Sequence, residues 1–298
     1  MLIYYGLIII SVVMFGGGFA FQDVYRRKRG SGIKISMEAA CIGSFAGLIV
    51  LLAVNGFSFE FSSYTLLMSV LAALNGIAFT FCAFKALDYI NLTLFSLFAM
   101  LGGMVLPFLQ GIFFYGEGFT VAKGICVAFI CAALLCTVEK GEKKRGAIFY
   151  AGIFVLNGMS GVLSKLYTES TLPKASAAGY SVWIAVITVI LSGIAWLVLS
   201  LNEKRKTQGE AQKIPKKVLW QSYGIGALNG IINKVANFFL VIALLHVDAS
   251  VQYPMVTGGT MIVSVVFSCF GDRRPNMKEI LSVALAFLGM VALFAIPI

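Results

Sequence analysis

Residues 2–24 read LIYYGLIIISVVMFGGGFAFQDV, and Arg26-Arg27-Lys28-Arg29 follow one residue later. A helix of about 20 apolar residues crosses the roughly 30 Å of a bilayer's hydrocarbon core, and a basic cluster behind it marks the side that stays in the cytoplasm. The run has no basic stretch before it and no small-residue cleavage site after it. It therefore reads as a retained first membrane helix and not as a leader.

The rest of the chain repeats that pattern. Of 298 residues, 59% are apolar and 12% are charged, with a mean hydropathy of +0.92. A soluble domain is about one quarter charged, so this chain lacks the polar residues to coat a globule in water. Soluble enzymes and nucleic-acid-binding domains are thereby excluded. The formal charge of +10 belongs mainly to loops, where it sets orientation. Cys41, Cys82, Cys126, Cys131, Cys136 and Cys269 lie in or beside apolar runs without metal spacing, and read as small packing residues with no disulfide framework.

Charged and turn-rich breaks divide the chain into apolar segments near 2–24, 36–54, 63–87, 92–115, 120–138, 147–168, 175–201, 218–245, 249–270 and 278–296. They show no apolar/polar alternation and are about twice as long as a barrel strand. Backbone groups in lipid must then be satisfied within continuous helices. The expected fold is an all-α polytopic membrane protein with ten transmembrane helices. Basic clusters at Arg26 to Lys34, Lys140 to Arg145, Lys204 to Lys217, and Arg273, Arg274 and Lys278 all follow odd-numbered spans. This places those loops inside and both termini outside a cytoplasmic membrane. The loop NEKRKTQGEAQKIPKK at 202–217 reads as a solvated linker held by anionic headgroups.

The chain also resembles itself. Ala73-Leu74-Asn75-Gly76 recurs as Ala227-Leu228-Asn229-Gly230, Gly102-Gly103 as Gly258-Gly259, and Gly116-Glu117 is answered by Gly271-Asp272, in the same order. Five helices per half is an odd number, so the second copy enters the membrane upside down. The expected organisation is two inverted five-helix repeats, 1–145 and 146–298.

PFLQGIFFYGE at 107–117, the Gly- and Ala-rich helix after it, and KALDYIN at 85–91 resemble the drug/metabolite transporter superfamily, in its ten-helix EamA type. The resemblance covers nearly the whole chain. The second half departs from the pattern: Pro254 lies nearer the start of its span than Pro107 does, and FGDRRP at 270–275 has Gly-Asp for Gly-Glu. The resemblance implies a pseudo-symmetric bundle with a central polar cavity that moves small organic solutes, without a cofactor.

A charge at mid-membrane costs roughly 2.5–3.5 kcal/mol on insertion scales, so one that remains faces a cavity or a partner. Lys234 is the deepest ionisable residue, mid-way along the eighth span. Asn229, Asn233 and Asn237 recur every fourth residue around it and share a helix face. That face lines a substrate path or glues helices together. Asn75 occupies the place of Asn229 in the third span, Asn157 lies in the sixth, and both are open to the same two readings; Gly76 and Gly230 beside the repeated asparagines would allow close helix approach. Gln252, Tyr253 and Thr257 surround Pro254 and Gly258-Gly259, where the helix is expected either to be interrupted, so that backbone groups meet solute, or simply to kink for packing. Tyr180 and Trp183 could supply an aromatic wall, and Asp23 with Lys85 either a gating ion pair or plain interfacial charges.

No Asp or Glu lies at the centre of a span, which argues against a proton/cation antiporter. The expected function is a secondary transporter moving a small polar metabolite, such as an amino acid or other organic acid, by alternating access. Its candidate site is Lys234, Asn229, Asn233, Asn237, Asn75, Asn157, Tyr253 and Gln252. Its partners are the small-molecule substrate and the lipid bilayer, with no nucleic acid. A flippase or exporter of an amphipathic or lipid-linked molecule, a multidrug exporter, and a non-transporting scaffold are the alternatives. Lone His246 has no Ser, Cys or Asp at catalytic spacing, and no metal or nucleotide motif is present, so enzymatic activity is not expected.

Overall fold

The computed structural model describes residues 2–116, 120–136, 146–206, 215–244, 246–247, 249–271 and 274–295. Within them lie ten helices and no strand: α1 (Leu2–Arg29), α2 (Ile33–Val54), α3 (Ser63–Tyr89), α4 (Leu92–Tyr115), α5 (Val121–Cys136), α6 (Ala147–Glu169), α7 (Ala177–Lys206), α8 (Lys216–Leu244), α9 (Ala249–Cys269) and α10 (Met277–Ala295). Among the described residues six are long and apolar enough to cross a membrane: α1, α2, α3, α4 to Phe114, α6, and α7 to Glu203. The protein is an all-helical chain with the make-up of a membrane protein.

Helix ends follow local chemistry. Asn91 caps α4 by accepting from Leu94 N at 3.0 Å, and its Nδ2 donates to Glu279 Oε2 at 2.6 Å. Asn276 Oδ1 accepts from Glu279 N while Asn276 N donates back to Glu279 Oε2, a reciprocal cap on α10. Gly116 closes α4 at φ 65°, a left-handed position that any side chain would strain. Lys174 donates to the carbonyls of Tyr167, Thr168 and Ser170, satisfying the end of α6. At Pro107 and Pro254 helices α4 and α9 nonetheless continue. Pro254 stands early in α9, where few turns precede it and the missing donor removes one hydrogen bond without ending the helix. The expected interruption of the ninth span is therefore absent.

The helices pack into two compact units, one of Met1–Ala20, Ala86–Val162 and Val235–Ile298, the other of Phe21–Lys85 and Leu163–Lys234. Each draws on both sequence halves. In the first unit α5 packs on α10 and α4 on α9. Leu94, Phe95, Leu97, Ala99 and Leu101 of α4 are all buried, so this helix is enclosed on most sides. Ile8 and Val12 of α1 pack with Ala243 and Val247 against α9.

Two helix pairs of that unit meet in the same way. On α4 and α6, Gly103 lies against the Asn157 side chain, and one turn on Pro107 lies against Gly161. On α9 and α1, Gly259 lies against Val12, and one turn on Val263 lies against Gly16. In each pair the glycine comes first from one helix and then from the other. A Cβ at Gly103 would stand 2.7 Å from Asn157 Nδ2, and one at Gly259 2.8 Å from Val12 Cγ1.

In the second unit α2 packs on α7 through Leu51, Val182 and Ala185. Met68, Leu163, Tyr167 and Tyr180 join α3, α6 and α7. The rings of Tyr64 and Tyr167 stack at 5.8 Å, and those of Tyr167 and Tyr180 at 3.9 Å.

Candidate functional site

Helix α8 carries Asn229, Asn233 and Lys234 within the second unit. Its Gly226–Gly230–Lys234 edge runs along Gly43 and Gly47 of α2. A Cβ at Gly230 would collide with the backbone of Gly43, so the two main chains touch there. Four residues on, the next position of the same edge is Lys234, and its alkyl stem occupies the space above Gly47. Lys234 is half-buried, and no hydrogen bond or ion pair is formed by it among the described residues.

Asn229 and Asn233 sit beside this edge. Asn233 Nδ2 donates to both the backbone oxygen and Oδ1 of Asn229, at 2.8 Å each. Because Asn229 Oδ1 is an acceptor here, its Nδ2 hydrogens remain for another group. Both residues are half-buried, as is Asn75 on α3 in the same unit. Asn237 is exposed and belongs to the first unit with Asn157. Asn157 Nδ2 donates to Ala99 O at 2.6 Å, which ties α6 to α4. Gln252 and Tyr253 fall within α9, and their side chains lie outside the described residues. Thr257 donates to Met290 Sδ at 3.1 Å and faces α10.

Thus the structure brings together Asn229 and Asn233, and sets Lys234 on the neighbouring edge toward α2. Gly230 makes the close approach expected of it. Gly76, its sequence counterpart, meets nothing within 4 Å.

The other polar residues have local partners. Asp23 pairs with Arg26 at 2.8 Å and Arg27 at 2.5 Å, while Lys85 reaches Ser31 Oγ at 3.5 Å, so the Asp23–Lys85 pair is not formed. Asp23 lies on the same helix face as both arginines, and helical neighbours win over a distant lysine. Trp183 donates to Glu60 O at 2.8 Å and meets Phe61 edge-on, so it anchors the segment before α3. Tyr180 belongs to the tyrosine stack. His246 stacks on Tyr4 at 4.0 Å. Among the described residues no three His, Cys, Asp or Glu side chains gather to hold a metal.

Sequence reasoning missed a buried charge cluster. Arg29 Nη2 donates to Glu38 Oε1 and Oε2 at 2.6 and 2.7 Å, Tyr25 OH donates to Oε1 at 2.7 Å, and Arg29 lies over the Tyr223 ring. In the sequence Arg29 stands only as part of the basic cluster from Arg26 to Lys34. The opposite charges of Arg29 and Glu38 on either side of the short turn at 30–32 were the available signal.

No protein-family model matches the chain, and no curated protein matches it. Among solved structures, one titled only "Crystal structure of protein" superposes on 96% of this chain and 97% of its own, with a TM-score of 0.57 at 14% identity. The likeness extends over both chains almost end to end. What it shows is a shared fold.

Proposed function

We propose that the protein is a ten-span carrier of the drug/metabolite transporter type, moving a small polar organic metabolite such as an amino acid or other organic acid by alternating access. The observation that carries this reading is Lys234. A half-buried amine mid-way along α8, with no ionic partner among the described residues, is costly to retain in a membrane unless it meets a polar solute. Asn229 supplies further donors on the same helix, held in orientation by Asn233.

The glycine exchange shared by α4/α6 and α9/α1 supports two inverted five-helix repeats. Each helix in one pair has its counterpart five helices away in the other, as two antiparallel copies require. Such copies exchange conformations and open a shared site to one side at a time. In this reading Asn157 serves as a tie between helices, and both termini face outward from the cytoplasmic membrane.

Counterflow in liposomes, run over a panel of amino acids and carboxylic acids, tests the proposal. Wild-type protein is expected to exchange at least one of these, and Lys234→Ala to lose most of that exchange. Equal rates for both proteins with every solute moved would remove Lys234 from the mechanism, and exchange of none would end the carrier reading.

A further inference from the structure

Gly47 and Lys234 lie within one packing unit, on α2 and α8. A Cβ added at Gly47 would stand 2.6 Å from Lys234 Cγ, 3.5 Å from Lys234 Cε and 3.3 Å from Gly230 O. The lysine stem therefore runs along the gap left by the missing side chain, from Cγ to Cε beside the amine. Just before this point the same seam is closed by Gly43 and Gly230, backbone against backbone. A lysine free in a wide cavity would sample many rotamers. One laid in a glycine groove is confined before any ligand arrives, and such preorganisation lowers the cost of binding.

The confined amine lacks a counter-charge among the described residues. Four carboxylates are engaged elsewhere: Asp23 with Arg26 and Arg27, Glu38 with Arg29, Glu203 with Lys34, and Glu279 with Asn91. We infer that Gly47 positions the Lys234 ammonium to receive a carboxylate of the transported solute. The inference rests on the carrier reading above and narrows it to solutes that present an anionic group to this amine. Gly47 acts through Lys234 and is a positioning residue.

The test uses the full-length chain in nanodiscs, reductively methylated with 13C-formaldehyde, which keeps the lysine charge. The Lys234 signal is the one missing from Lys234→Ala. Sodium acetate, succinate and glutamate are the probes. At least one of them is expected to move the wild-type signal. In Gly47→Ala that signal should already lie elsewhere without carboxylate, and the midpoint of titration should rise about ten- to a hundredfold, the worth of one hydrogen bond to a charged group. If Gly47→Ala also loses stability, Gly47→Ala/Lys234→Ala should recover part of it, because the added Cβ is then relieved of its closest contact, Lys234 Cγ. A Lys234 signal unmoved by Gly47→Ala overturns the positioning, and one unmoved by all three probes overturns the anion site. Counterflow separates the two readings. Equal exchange in wild type, Gly47→Ala and Lys234→Ala keeps the carrier and ends this inference, whereas the expected titration without exchange of any solute ends the carrier and keeps the anion site.

Discussion

Arg29 and Glu38 face each other across a three-residue turn in a two-pronged ion pair, with side chains 6% and 4% exposed. Burial removes both charges from water, and their mutual hydrogen bonds, that of Tyr25 and the Tyr223 ring beside the guanidinium offset the loss. Truncating one partner leaves the other charged and dry. Glu38→Ala and Arg29→Ala are each expected to cost about 3–5 kcal/mol, and Arg29→Met/Glu38→Leu much less. Denaturant unfolding in detergent checks this. Single variants no worse than the double would show that the pair does little for stability.

The two glycines of the repeated ALNG motif should behave differently. Gly230→Ala drives a methyl group into the backbone of Gly43, which cannot swing away as a side chain would. It should lower the melting temperature sharply or abolish folding. Gly76→Ala meets open space, and replacing glycine by alanine inside a helix favours the helix by about 1 kcal/mol. It should leave the melting temperature unchanged or raise it, as read by fluorescence-detected size exclusion after heating.

This pair also marks how far the sequence could be read. Every one of the ten helices was placed from apolar runs and their punctuation, because burial from water is written residue by residue. Hydropathy stopped α1 and α7 short of Arg29 and Lys206, since a run of arginine and lysine ends the apolar signal while remaining good helix former. Contacts between helices were much less legible. Identical ALNG motifs gave a tight seam at Gly230 and open space at Gly76, because the seam depends on Gly43, far away in the chain. The stack of Tyr64, Tyr167 and Tyr180 joins three helices with no periodic signature, and the Gly16/Gly161 correspondence lies outside any repeated string. For the site, the sequence singles out Lys234 flanking the asparagine face, but it does not show that the lysine stem rests against α2. Gly47, which fixes its stem, had no mark of its own.

Tyr167 and Tyr180 predict opposite responses to loss of a hydroxyl. Tyr167 OH donates to Ala175 O at 2.7 Å and meets Thr65 Oγ1 at 3.0 Å, so Tyr167→Phe should cost about 1 kcal/mol or more. The buried hydroxyl of Tyr180 has no hydrogen-bond partner among the described residues. Tyr180→Phe keeps the ring stack and removes an unsatisfied polar atom, so it should be neutral or stabilising. Thermal unfolding of the two variants side by side decides it, and a loss at Tyr180 equal to that at Tyr167 would contradict the geometry.

Orientation can be read chemically. With the six native cysteines replaced by serine, a cysteine at residue 2 should react with an impermeant maleimide on intact cells, and one in the 207–214 segment only after lysis. The proposed orientation, argued from the basic clusters behind the odd-numbered helices, predicts this. Protection of residue 2 together with labelling of the segment in intact cells would invert the map.

Asn157 and Val12 occupy matching places, one against Gly103 and the other against Gly259. If the two helix pairs are copies of one packing solution, α6 should accept the α1 residue. Asn157→Val then keeps the contact with Gly103 and loses the hydrogen bond to Ala99 O, a cost of about 0.6–2 kcal/mol for one interhelical bond in a membrane. Gly103→Ala is expected to be worse in the wild-type chain, because its Cβ stands 2.7 Å from Asn157 Nδ2 and the hydrogen bond leaves that amide little room to yield. Stability of the two variants in detergent tests the correspondence, and counterflow tests the role. Asn157→Val should exchange solute with an unchanged KM, whereas a selective rise in KM with stability intact would return Asn157 from the scaffold to the binding site.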